Sequence, residues 1–293
     1  MSLTGPLIAN AVRLVCADKE LGTFLLAIKR GIHCHDHSAR PAPDRQGCQA
    51  ETRLAHADLI IRNGSDAWGL TDLGEQVVSC LLQHEAVEEL ALMYERLEFT
   101  ADSVFLDLGC GAGPALVNAC ALTIAPRLLI GIDIDRSSLL AASTFLGPHQ
   151  RRCLLVQADL AALPIKTDMI THVCSRLSLP YVDQCTSLAE LGRVLKPGGK
   201  VFLQLHGVRF YLQLLRDQSR DWRRVLVNSF CLLNGFLFSW FGIQLRVRRS
   251  DGVYQELFQT LGGMRRLLKR HRVAVCWHEH AQLFRLVGWK LRT

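Results

Sequence analysis

A doubly wound α/β fold with a mostly parallel sheet is what the second half of this 293-residue chain predicts. Three observations carry that prediction. From Ser103 onward, short apolar runs alternate with helical stretches, as a sheet covered on both faces requires. The runs are VFLDLGC, LLIGIDID, CLLVQAD, MITHVCS and KVFLQLHG, five strands in chain order. The stretches 114–123, 136–146 and 184–195 between them space apolar residues as helices do. Finally, the first run ends in closely spaced glycines followed by a proline, the punctuation of a strand turning into a helix.

The elements before and after this core are read from the same signals. Residues 6–16 and 21–30 predict two short helices separated by the charged turn Asp18-Lys19-Glu20. Residues 31–49, with Pro41 and Pro43 and no periodicity, predict a loop. A third helix is expected from Glu51 to Ile61, a turn at Asn63-Gly64, and a strand over Trp68–Thr71. Thr71 then caps a helix running through Glu75 to Gln83, its hydroxyl accepting from a free first-turn amide. After Gly207, residues 209–218 predict a helix, 225–245 an uncharged apolar segment, and 260–270 a basic helix. RVAVCWHEH and GWKLR are candidates for closing strands. The expected organisation is an N-terminal helical region over 1–95 and a main domain over 96–293, with an apolar and basic insertion at about 208–260.

Composition bounds the function. With 49% apolar and 21% charged residues the chain is a folded globular protein rather than a disordered one. The net charge of +7 is unevenly spread: Val208–Thr293 holds sixteen Arg or Lys against five Asp or Glu. Such a third suits an acidic substrate, an anionic membrane surface or nucleic acid, or is a solvated arginine-rich face. The eleven cysteines include no Cys-x-x-Cys pair, so neither a zinc ribbon nor a disulfide framework is indicated. Cys120 and Cys174 read as small apolar fillers, and free thiols of this kind point to the cytoplasm. The N-terminus, with Pro6, Asn10 and Arg13, has no signal-peptide pattern.

The string Val104-Phe-Leu-Asp107-Leu-Gly109-Cys110-Gly111-Ala-Gly113 carries the chemistry. Glycines at alternate positions allow a tight turn and close approach to a ligand, and the helix that begins at Pro114 offers free amides to an anionic group. A dinucleotide fingerprint, G-x-G-x-x-G, would place the third glycine one position later. Asp133 closes the second strand, beside the glycine loop, where a carboxylate can accept from a ribose diol. Asp159 closes the third, where it can accept from an exocyclic amine. Leu195-Lys-Pro-Gly-Gly199 is a turn before the fifth strand.

Over residues 100–207 these motifs resemble the class I S-adenosylmethionine-dependent methyltransferases: DLGCGAG the first motif, GIDID the second, QADLAALP the third, and RVLKPGG the later turn. The resemblance implies S-adenosylmethionine as cofactor. It places the methionine part on Asp107 and the Gly109, Cys110, Gly111 and Gly113 loop, the ribose on Asp133 with Ile134 beside it, and the adenine near Asp159 and Leu160, with Ser175 at the end of the fourth strand. The family's two closing strands are antiparallel. Where the family often has an Asp opening the fourth strand this chain has Thr171, with Asp168 three positions early. Residues 10–80, ending in "LT-x-x-G", loosely resemble a winged-helix unit, which in many small-molecule O-methyltransferases serves as a lid and a homodimer surface. ETRLAHADLIIR has too few base-reading side chains for nucleic acid to be expected.

The expected activity is therefore methyl transfer to a small, hydrophobic acceptor: a metabolite, a quinone-like molecule or a lipid. The alternatives are methylation of RNA or protein held by the basic C-terminal third, and a non-catalytic sensor of S-adenosylmethionine. The place after the fourth strand reads Ser175-Arg-Leu-Ser-Leu-Pro180-Tyr181, not Asn/Asp-Pro-Pro-Tyr, which argues against adenine or glutamine N-methylation. His206 and Tyr181 border the expected methyl position, but neither is assigned as a base. His33-Cys34-His35-Asp36-His37 and Cys276-Trp277-His278-Glu279-His280 lack familiar zinc spacing, and no metal is assigned. The segment 225–245 is expected to be a lid or core element lining an apolar pocket. Contact with an anionic membrane surface, giving a cytoplasmic protein peripheral to a membrane, and a membrane span are the alternatives.

Overall fold

A computed structural model describes residues 5–29, 53–63, 67–85, 87–219, 221–249, 252–280 and 283–292. Helices α1 (Gly5–Ala17) and α2 (Lys19–Lys29) come first. A helical turn at 53–56 precedes a two-stranded antiparallel ribbon, β1 (Ile60–Asn63) and β2 (Ala67–Leu70). The helix expected to reach Ile61 is thus cut short. Asp58 turns to a left-handed φ of 56°, and Ile60 and Ile61 pair with Leu70 and Gly69 instead; β-branched side chains suit that extended backbone better than a helix. Thr71 caps α3 (Asp72–Glu85), accepting from the Gly74 amide at 3.0 Å. Helix α4 (Val87–Leu97) follows. The residues from 31 to 49, including the first histidine cluster, lie outside the described residues.

These N-terminal elements share an apolar core that includes Val12, Val15, Leu25, Leu59 and Val77, and it also takes in Ala112 and Ala141. The region is therefore seated directly on the glycine loop and on a helix of the main sheet.

The main sheet begins with β3 (Val104–Leu108), α5 (Pro114–Cys120), β4 (Leu128–Asp133), α6 (Arg136–Leu146) and β5 (Cys153–Gln157). It continues through β6 (Ile170–Arg176), α7 (Gln184–Val194) and β7 (Leu195–Leu205). Helices α8 (Val208–Asp217) and α9 (Trp222–Phe241) and a short ribbon, β8 (Val247–Arg249) with β9 (Gly252–Tyr254), form the insertion. Helix α10 (Leu261–Arg270) leads to β10 (Val273–His280) and β11 (Phe284–Lys290). The seven strands run in the order β10-β11-β7-β6-β3-β4-β5.

The five strands β3 to β7 are parallel to their sheet neighbours. Both predicted closing strands exist, but only one is reversed against the rest. β11 is antiparallel to β7 and to β10, so β10 runs in the same direction as the parallel five. β11 also starts at Phe284, before GWKLR. The chain moves outward from β3 to β4 and β5, then returns to β6 on the other side. That topological switch lies at the C-terminal ends of β3 and β6, where open α/β sheets bind ligands.

Candidate cofactor site

The loop after β3 is held by backbone bonds that only a glycine-rich strand end permits. Gly109, Gly111 and Gly113 take φ values of 70°, 53° and 77°. The amides of Gly109 and Cys110 both donate to the Ile132 carbonyl, at 2.8 and 3.0 Å, which ties the loop to the end of β4. A Cβ on Gly109 would stand 2.2 Å from that of Ser178, so backbone freedom and close approach coincide there. Pro114 then opens α5, its missing amide falling where a donor would be unpaired anyway.

Asp133 and Asp135 divide two roles that either could have taken. Asp135 is the N-cap of α6, accepting from the amides of Ser137 and Ser138 at 3.1 and 3.0 Å. Asp133 accepts from the Gly111 amide at 2.8 Å and from Asp135 at 2.9 Å. Its carboxylate therefore fixes the glycine loop.

Asp107, in β3, is only 1% exposed. Burial pushes its pKa up, opposed by the nearby Arg176 cation and by a hydrogen bond from Cys174. The Cys174 thiol donates to Oδ1 at 3.0 Å, while Oδ2 is buried without a partner among the described residues. Arg176 likewise leaves its buried Nε unpartnered. Buried polar atoms of this kind are costly unless a ligand completes them.

Gln83, Gly109, Cys110, Gly111, Arg176, Leu177, Ser178 and Gln204 line a cleft of about 360 Å³ at this sheet end. Gln83 comes from α3, and its carboxamide oxygen accepts from the Ala112 amide at 3.0 Å. Leu177 holds a positive φ of 61°, its amide tied to the Gln204 carbonyl at 2.8 Å. Strain at the end of β6 is thus fixed by a bond to β7, a placement typical of functional sites.

The structure groups the predicted residues in two sets. Gly109, Cys110 and Gly111 line the cleft, with Asp107 buried behind them and Gly113 at the start of α5. Asp133 is half-buried, and Ile134 and Asp159 are exposed. The Ala158 amide donates to the Asp133 carbonyl at 3.1 Å, which brings the ends of β4 and β5 together. Ile134 is 68% exposed, an apolar side chain left in the open next to a carboxylate. Asp159 is exposed and accepts from the Ala161 amide at 2.9 Å, whereas Leu160 is buried in the core. Ser175 is fully buried and bonds to Ser178 at 2.6 Å, which in turn donates to the Leu108 carbonyl at 2.8 Å. Ser175 therefore supports the cleft through Ser178 rather than lining it.

Several residues escaped the sequence reading. Cys174, read as an apolar filler, is the hydrogen-bond donor to Asp107. Arg176, Ser178 and Gln204 follow or end strands already identified, so their position at strand ends was a usable signal. Gln83 had none, because its role depends on how α3 packs. Thr171 replaces the family's acidic residue with a bridge: its hydroxyl accepts from the Val104 amide at 2.7 Å and donates to the Val104 carbonyl at 3.0 Å, joining β6 to β3. Asp168 instead receives Lys290 at 2.7 Å.

The two titratable groups flagged beside the methyl position are not free bases. His206 is 4% exposed, stacks on Phe210 at 4.1 Å, and burial pushes its pKa down to about 4. Its Nδ1 lies 3.3 Å from the Tyr211 hydroxyl, which donates to Glu256 at 2.7 Å. Tyr181 packs against the His206 ring at 5.9 Å and is 49% exposed. Cys276, His278 and His280 lie along β10, where His280 stacks on Phe284 at 4.6 Å.

A family profile described as a methyltransferase domain matches residues 106–203, the span from β3 to β7. The ubiquinone/menaquinone biosynthesis C-methyltransferase UbiE of Syntrophotalea carbinolica is 31% identical over 120 residues, 40% of this chain and 47% of that protein. Methyltransferase GfsG of Streptomyces halstedii is 29% identical over 150 residues, 48% of this chain and 49% of that protein. The chain thus spans about half the length of the curated relatives it matches. Among solved structures, a putative methyltransferase from Haloferax volcanii, in complex with the activator Trm112, superposes with a TM-score of 0.54 at 16% identity over 75% of this chain and 95% of that one. A putative S-adenosylmethionine-dependent methyltransferase from Listeria monocytogenes gives 0.51 at 16% identity over 72% and 100%.

Proposed function

We propose that the chain, whose residues 106–203 match a methyltransferase-domain profile, moves a methyl group from S-adenosylmethionine to a small apolar acceptor. The observation that carries the reading is the buried, half-satisfied carboxylate of Asp107 behind a left-handed glycine loop, with Asp133 at the next strand end. A methionine ammonium would give Asp107 Oδ2 the donor it lacks. Asp133 would accept from the ribose diol, and Ile134 and Asp159 would flank the adenine. Arg176 and Gln83 stand at the cleft where a methionine carboxylate would need donors.

The sulfonium supplies an intrinsically electrophilic methyl, so the protein's task is to align a nucleophile and exclude water. Among the described residues that line the cleft there is no carboxylate or imidazole. An acceptor already nucleophilic at neutral pH, such as an electron-rich ring carbon or an anionic oxygen, needs no general base from the protein. The likeness to the quinone-biosynthesis relative supports the same class of acceptor.

Calorimetric binding of S-adenosylmethionine and S-adenosylhomocysteine tests the reading. Micromolar affinity that Asp133→Ala weakens at least tenfold, about 1.4 kcal/mol, is expected. Well-folded protein that binds neither compound would overturn it. With label on the cofactor methyl and a cell extract as acceptor source, counts are expected in the solvent-extractable fraction; counts in RNA or protein instead would move the acceptor to a macromolecule.

A further inference from the structure

Helix α9 is apolar on the wrong side. Its buried positions are Asn228, Cys231, Asn234, Gly235, Phe238 and Ser239, three of them polar, while Trp222, Leu226, Leu233, Phe236, Trp240 and Phe241 are 46–66% exposed. The first five recur at spacings of four, seven, three and four, which is one continuous stripe along a helix. Phe236 and Trp240 stack with ring centroids 4.7 Å apart on that open face.

The inward polar side chains are hydrogen-bonded to the rest of the fold, which fixes the orientation. Asn234 donates to the carbonyls of Leu245, Gln255 and Glu256 at 3.2, 3.2 and 3.0 Å, and accepts from the Leu245 amide at 2.6 Å. Ser239 accepts from Thr260 at 3.1 Å. Rolling the apolar stripe inward as a lid would break these bonds. The segment after the helix is also pinned to the main domain, where Gln244 donates to the Val182 carbonyl at 2.8 Å.

We propose that the exposed stripe of α9 docks the protein onto an anionic lipid surface, the helix lying in the plane of the interface. Charge complementarity selects this occupant. Residues 222–250 contain five arginines and no Asp or Glu. Arg223 and Arg224 stand at the start of the stripe, Arg224 paired with Asp221 at 3.3 Å; Arg246, paired with Asp183, lies beyond its end, and Arg266 of α10 reaches the last turn through the Ser239 and Trp240 carbonyls. An apolar stripe ended by tryptophans and rimmed by arginine is the composition of an interfacial helix. Its length and hydropathy would also let it cross a membrane, but the hydrogen bonds of Asn234 hold it to the fold. A contiguous apolar patch of this kind marks an interaction surface rather than ordinary exposure. The proposal rests on α9 and its surroundings and holds whether or not the chain transfers a methyl group.

Co-sedimentation of the full chain with vesicles of phosphatidylcholine alone, and of phosphatidylcholine with phosphatidylglycerol, reads it without any turnover. Binding to the anionic vesicles is expected, with a blue shift of tryptophan emission and loss in high salt. Phe236→Glu with Trp240→Glu should weaken it at least tenfold, and Arg223→Gln with Arg224→Gln should reduce it on anionic vesicles only. Both pairs are exposed, and unchanged thermal unfolding checks that they fold. Equal binding to neutral and anionic vesicles, or no effect of either pair, would overturn the proposal. So would a dimer in sedimentation velocity that Phe236→Glu dissociates while vesicles capture nothing, which would assign the stripe to a second copy of the chain.

Discussion

Asp107 shows how a single residue can cost stability and serve a ligand. A carboxylate at 1% exposure with one oxygen unpartnered is destabilising on its own, and its raised pKa records that penalty. Asp107→Asn keeps the shape and removes the charge. The expected outcome is an unchanged or higher melting temperature together with at least tenfold weaker S-adenosylmethionine binding, about 1.4 kcal/mol. Thermal unfolding and calorimetry on the same preparation check it; a lower melting temperature with wild-type affinity would remove Asp107 from the site. Wild-type affinity should also fall as pH drops toward the raised pKa, and the Asn variant should lose that slope. Gln83 makes a contrasting case. Its oxygen caps the Ala112 amide from another element, so Gln83→Ala should weaken cofactor binding several-fold while stability shifts by about 1 kcal/mol. Asp107 was legible in the sequence because motif spacing is local. Gln83 was not, because nothing in "VVSCLLQHE" says which of its polar residues will meet a glycine loop some thirty positions on.

Among elements, the parallel strands and the helices between them followed directly from apolar runs and periodicity, with errors confined to their ends. The helix after β3 stops at Cys120, short of 123, and α9 begins at Trp222, taking Arg223 and Arg224 into its first turn. Asp221 explains that start, since its carboxylate accepts from both arginine amides. What hydropathy could not supply was the direction in which α9 faces. The partners of Asn234 lie at 245, 255 and 256, beyond the helix, and only the fold brings them under it. This gives an inverted mutational pattern. Asn234→Leu, conservative by hydropathy, removes the bonds to the Leu245 amide and to three carbonyls, of which that of Gln255 keeps Gln244, and should destabilise the protein by about 3 kcal/mol. Phe236→Ser, severe by hydropathy, changes an exposed side chain and should shift stability by no more than about 0.5 kcal/mol. Urea unfolding of the two variants decides, and the reverse ranking would mean that α9 turns its apolar stripe inward in solution.

For the whole molecule, the sheet places its costly buried groups on adjacent strands, and this couples stability to pH. His172 in β6 lies 5.0 Å from the Phe99 ring, beside Lys200 of β7, while His206 follows β7. Burial holds both well below the ordinary histidine value, each at about 4. A depressed histidine pKa means the folded protein keeps these rings neutral while the unfolded chain takes up protons. Their contribution is therefore fully present above about pH 6.5 and is lost as pH falls from there toward 4, by up to about 3 kcal/mol for each ring. Asp107 works in the opposite direction, because its raised pKa recovers stability when it protonates, so the net loss should be smaller than the two histidines alone would give. Urea midpoints at pH 7.5 and pH 5.0 are expected to fall with pH. His172→Asn with His206→Asn should flatten that dependence, since asparagine can stand in for the Nδ1 hydrogen bonds without titrating. If the double variant kept the full slope between pH 7.5 and 5.0, groups other than these two histidines would carry it. Asp135, Asp183 and Glu190, whose hydrogen bonds and ion pairs depress their pKa values, lose their contribution only at lower pH and cannot supply it.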